Sequence, residues 1–190
     1  MMFEEFTGYL HLGVEHILDP NGLDHVLFLF ALAIPFSIKQ WKTVLILVTA
    51  FTIGHSLTLF LAGLDLIKVS SQWVEISIAF SIFITALYNI YLVKKQEKPQ
   101  TRYLAALFFG LIHGLGFSSF FRSLLGDDSI IFPLFSFNLG VEFAQLIIVL
   151  AILLLNFFVT RTLKVKKEYW IYSTSCLIAI WSLKLIIDRL

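Results

Sequence analysis

The 190-residue sequence holds one cysteine, two methionines and four prolines, and only 14% of its residues are charged. A single thiol, Cys176, excludes an internal disulfide and a thiolate metal cage, and its place inside the last apolar run reads as inert packing. With so little charge there is no soluble domain to expect. The net charge of +1 is spread over short loops, which leaves no basic face for nucleic acid. The opening MMFEEFTGYLHLGVEH lacks a basic leading stretch and a small-residue cleavage site, so a removed signal peptide is not expected.

What the chain has is apolar length. Hydrophobic residues make up 58% of it and the mean hydropathy is +0.88, the range of integral membrane proteins. Apolar runs at roughly 23–38, 42–62, 72–93, 103–122, 131–160 and 169–187 are each read as a membrane-crossing helix. The segment 3–18 is shorter and carries Glu4, Glu5, His11, Glu15 and His16, so it is expected at the membrane interface or folded back onto the bundle. The expected fold is all-α: one transmembrane domain over residues 1–190, a polytopic helical bundle with about six transmembrane helices plus an N-terminal interfacial or re-entrant helix.

Alternating the loops between two sides sorts the cations. One side collects Lys39, Lys42, Lys94, Lys95, Lys98, Arg102, Arg161, Lys164, Lys166 and Lys167; the other has Lys68, Arg122, Lys184 and Arg189. The positive-inside rule puts the richer side in the cytoplasm, both termini outside, and the chain in a bacterial inner membrane. The loop KKQEKPQTR, 94–102, reads as an ordinary, solvated cytoplasmic connection.

On that topology the metal-capable intramembrane residues all fall in the outer half. "HILDPNGLDH", residues 16–25, places His16, Asp24 and His25 at the mouth of the first span. His55 lies about seven residues, or roughly 10 Å, from the outer end of the second span, and His113 about nine residues from the outer end of the fourth. Glu75 begins the third span; Asn138, Glu142 and Gln145 share a face of the fifth, and Thr52, His55 and Ser56 a face of the second. Ionisable groups at membrane depth are costly and face a bundle interior or a wet cavity, so these are expected to converge. Gly110 and Gly114 in GLIHG allow close helix approach and would turn His113 inward.

Plainer readings stand beside these. Asp24 with Asn21 makes a helix-capping pair, His11 and the histidines of the first motif suit an interface, and the buried histidines and carboxylates could be purely structural partners. Taken together, imidazoles with carboxylates are the ligand set of a borderline divalent cation, nickel or zinc among them, rather than of magnesium or calcium.

Five stretches carry a resemblance: HILDPNGLDHVLFLF, FTIGHSLTL at 51–59, VEISIAFSI at 74–82, FGLIHGLGF at 109–117 and FNLGVEFAQ at 137–145. In this order they resemble the HupE/UreJ family of membrane proteins, in its second, shorter branch. The resemblance implies a nickel permease associated with hydrogenase and urease maturation, with His16, Asp24 and His25 matching the family's first-span motif. This chain has seven residues between His16 and Asp24, more than the better-known members.

Two functions follow. In a carrier, His16, Asp24, His25, His55, His113 and Glu142 would hold Ni²⁺ or Zn²⁺, and Ser77, Ser81, Thr85 and Asn89 would supply a thin inward path. Ser56, Glu75, Asn138 and Gln145 would support the ligands. The alternative is an intramembrane zinc-dependent hydrolase acting on an outer-leaflet lipid or another membrane-embedded substrate, with Glu142 as candidate base. Metal ion and bilayer are the expected partners; a homo-oligomer or a partner membrane protein stays open.

Overall fold

Prolines and turn residues set the joints of an otherwise helical chain. The computed structural model describes residues 2–20, 22–93, 95, 99–125 and 130–190. Among them it contains seven α-helices: α1 (Met2–Leu18), α2 (Asp24–Ala33), α3 (Trp41–Gly63), α4 (Ser71–Leu92), α5 (Pro99–Leu125), α6 (Ile131–Phe157) and α7 (Lys167–Asp188), with no strand among the described residues. Pro20 stops α1 and Pro35 stops α2, because proline removes an N–H and crowds the residue before it out of the helical region. Asp65, at φ 62°, ends α3 in the left-handed conformation while the Leu66 N–H returns to the Leu61 carbonyl at 3.0 Å. Asn21, expected as a cap, and Lys94 and Lys98 fall outside the described residues. The residue before α2 is Leu23, with no side-chain cap.

Five helices, α3 to α7, are long and apolar enough to cross a bilayer, which makes the chain an integral membrane protein. Ile53, Phe80, Phe108, Phe143 and Leu177 point outward, as they do where lipid is the solvent.

The first expected span differs. Instead of 23–38, the structure has a ten-residue α2, about 15 Å long and half of a hydrocarbon core. Segment 3–18 takes the bundle placement rather than the interfacial one. Phe6 meets Phe132, with ring centroids 6.2 Å apart, and Gly13 packs on the backbone of Phe137 and Val141. Farther along, Asn156 donates to the carbonyls of Ile34 and Phe36, just past α2. Helices α1 and α2 therefore follow α6 in one direction, one after the other. The sequence reading missed this because α1 carries too many polar residues to look like half of a crossing.

Glycines fix the other central pair. A Cβ on Gly54 would run into the Leu107 carbonyl, and one on Gly110 into that of Phe51, so α3 and α5 pack backbone to backbone. Phe28, Phe51, Phe121 and Phe137 fill the core between α1, α2, α3, α5 and α6.

Candidate metal site

Four histidines from four helices meet where α1 breaks into α2. His16 closes the last turn of α1 and His25 opens α2, with ring centroids 4.6 Å apart across the break. His55 of α3 lies 5.6 Å from the His16 ring and 6.0 Å from that of His25. His113 of α5 stands 5.3 Å from His25. The α3–α5 glycine contact brings His55 and His113 to one level, as the GLIHG pattern implies.

A ring nitrogen from each of His16, His25 and His55 lies within 4.8 Å of the other two. Nitrogens bound to one tetrahedral ion are about 3.3 Å apart, so closure by small ring rotations suffices. His55 is fully buried and neither of its nitrogens makes a well-aligned protein hydrogen bond, although Asn138 stands beside the ring; Nε2 of His16, His25 and His113 is likewise buried and unpartnered. Buried polar atoms left this way cost about 1–3 kcal/mol each, so these five, on four neighbouring rings, are groups that a metal ion could satisfy. His113 Nδ1 donates to the Phe109 carbonyl at 2.8 Å, which leaves the lone pair on the buried, unpartnered Nε2.

Asp24 lies beside the cluster rather than within the close triad. Its Oδ2 accepts from Arg189 Nη2 at 2.8 Å, and its Oδ1 is buried and unpartnered. Arg189 also donates to the Glu75 carbonyl at 2.9 Å, with the Glu75 carboxylate 3.9 Å away. Asp24, His16, His25, His113, Glu75 and Arg189 all line one open cavity of about 950 Å³, whose rim includes the exposed His11–Glu15 pair. On the inner side His113 and His25 rest on Phe28 and Phe51, which form an aromatic floor.

Most of the remaining sequence candidates sit elsewhere. Glu142 faces α3, where it accepts from Thr49 Oγ1 at 2.7 Å, and Gln145 accepts from Thr52 at 2.8 Å; neither lines the cavity. Ser56 donates to the Thr52 carbonyl and Asn138 Nδ2 to the Leu134 carbonyl, each within its own helix, but the Asn138 side chain also stands beside the His55 ring. Ser77, Ser81 and Thr85 donate to carbonyls of α4, while Asn89 donates to Ala31 and accepts from Arg102. Of that stripe, Asn89 ties α4 to α2 and α5, and the three hydroxyls are satisfied within α4. Thr49 and Arg189 escaped the sequence reading: Thr49 is three residues before Thr52 on the same face, a usable signal, but nothing local ties Arg189 to Asp24, 165 positions away.

These features define a class: a helical membrane protein with a buried imidazole cluster below an open polar cavity, fit for a transition-metal ion. The chain belongs to the HupE / UreJ protein family, whose family model matches residues 1–189. That family is associated with nickel and cobalt transport. No curated protein and no solved structure matches the chain.

Proposed function

We propose that this protein is a permease for a divalent transition-metal ion, nickel foremost, that captures its cargo at His16, His25 and His55. The supporting observation is the triad itself, three imidazoles that each bring a nitrogen within 4.8 Å of the other two and each carry a buried nitrogen with no well-aligned protein partner. Imidazole suits nickel, cobalt and zinc, and family membership favours the first two. His113 Nε2 or Asp24 Oδ1 would complete the shell. On the positive-inside orientation the cavity opens outward, so the ion sheds water into the cluster and passes inward when the Phe28–Phe51 floor yields. Glu142 takes the role of proton acceptor at the α3–α6 seam, not of ligand.

One observation favours the zinc-hydrolase alternative: a cavity of about 950 Å³ is far larger than one ion needs. The two readings part in proteoliposomes. Purified wild-type protein should load nickel in proportion to protein, and nickel should accumulate inside under a proton gradient or a membrane potential. Glu142→Gln should keep the bound metal and lose most of the uptake. Metal that loads but never crosses refutes the permease and leaves the hydrolase.

A further inference from the structure

A second cavity lies at the opposite, basic end of the bundle, where α2, α6 and α7 meet. Asn156 builds it. This side chain, only 4% exposed, donates to the carbonyls of Ile34 and Phe36 and accepts from Trp170 Nε1 at 2.9 Å, which ties the three helices together. Past Phe157, α6 loosens into a π turn, Phe158–Thr162, which adds a residue to the turn and carries Arg161. The resulting space is about 320 Å³, walled by Ile34, Phe36, Phe157 and Trp170. Lys39, Arg161 and Lys167 line it from three separate elements, and no carboxylate among the described residues does.

A rule that gathers cations on one side of a membrane explains why these residues are basic. It does not explain why three of them converge on one cavity with apolar walls and a tryptophan. An adjoining cavity of about 300 Å³ shares Phe36 and Lys167 and adds Arg102 and Lys95, but there Glu168 supplies a counter-charge. The first cavity has none.

We infer that the cavity lined by Lys39, Arg161 and Lys167 is a binding site for a glycerophospholipid with an anionic headgroup. Headgroup oxygens lie against the ammonium and guanidinium groups, and the glycerol and first acyl carbons against Phe157, Trp170 and Ile34. Three cations exceed the single charge of a phosphodiester, so a headgroup of net negative charge is preferred to a zwitterionic one. The site is independent of the metal cluster and does not rest on transport.

Delipidated wild-type protein in detergent is titrated with phosphatidylglycerol or phosphatidylcholine and the adducts are counted by native mass spectrometry. Each cation near a lipid surface is worth about fivefold in affinity, so K39Q/R161Q/K167Q should lose on the order of a hundredfold for phosphatidylglycerol. K164Q/K166Q, which removes two cations of the same end that line neither cavity, should change it less than about twofold. Equal losses in both variants, or no preference over phosphatidylcholine in the wild type, overturn the inference. Displacement of the lipid by millimolar inorganic phosphate would assign the cavity to the free ion and also overturn it. Should the triple variant melt well below the wild type, R161Q alone must lose about fivefold and K39R/K167R must bind as wild type.

Discussion

Replacing His55 by leucine separates a metal site from a structural histidine, because the two readings demand opposite signs. His55 is completely buried, and neither ring nitrogen makes a well-aligned protein hydrogen bond although Asn138 stands beside the ring; a buried nitrogen left unmet costs about 1–3 kcal/mol. Leucine is close in volume and has nothing to satisfy. Loss of the stacked contacts with Phe51 and Phe137, at about 0.5–1.5 kcal/mol, offsets part of the gain. In chelator the variant should therefore be more stable by roughly 2 kcal/mol, a rise of about 4–8 °C in melting temperature for a chain of this size. Metal should reverse the order. At a nickel concentration a hundredfold above the dissociation constant the wild type gains about 2.7 kcal/mol, whereas a variant bound a hundredfold more weakly gains about 0.4 kcal/mol. The assay is thermal unfolding in detergent by intrinsic fluorescence, with chelator and with nickel. A variant less stable than the wild type in chelator, or one that gains as much from nickel, would refute the reasoning.

Arg189 neutralises Asp24 in a pair whose side chains are 20% and 14% exposed. Arg189→Gln should cost roughly 1–3 kcal/mol of metal-free stability, and nickel, now the counter-charge for Asp24, should restore more than it adds to the wild type; an equal or smaller gain in the same melts would count against this. Gly110→Ala places a methyl group against the Phe51 carbonyl and should destabilise by roughly 1–3 kcal/mol while weakening nickel binding, since α3 and α5 carry His55 and His113; wild-type melting would contradict it. At the histidine end, the Arg122 guanidinium, then Lys68, holds the Asp65 carboxyl below its usual range. A carboxyl lowered in the folded state adds stability that is complete above its unfolded value, near pH 4, and is lost as pH falls through the lower folded value. Asp65→Asn should therefore melt below the wild type at pH 6, by a margin that shrinks as the pH falls below about 4; parallel curves would show that the pair contributes nothing.

The sequence by itself determined the class of this molecule. Apolar runs long enough to cross a bilayer admit helices and nothing else, and a single cysteine, too few for a thiolate cage, leaves metal chemistry to imidazole and carboxylate. It also picked out the four histidines, because an imidazole at membrane depth is conspicuous wherever it falls in the chain, and GLIHG indicated which way His113 turns. Tertiary structure decided the rest. Whether 3–18 lies on the membrane or within the bundle depends on Gly13 and Gly140 reaching the backbone of the facing helix, a fit between residues more than a hundred positions apart. Asp24, Glu142 and the α4 hydroxyls all look like site residues in a one-dimensional reading, since polarity at depth is the only signal it has. Partners separate them: Arg189 takes one oxygen of Asp24, Thr49 takes Glu142, and the α4 hydroxyls turn back to their own helix. Hydrophobic periodicity records which face of a helix is buried, but not which polar group waits on the other side, and that complementarity exists only once the helices have packed.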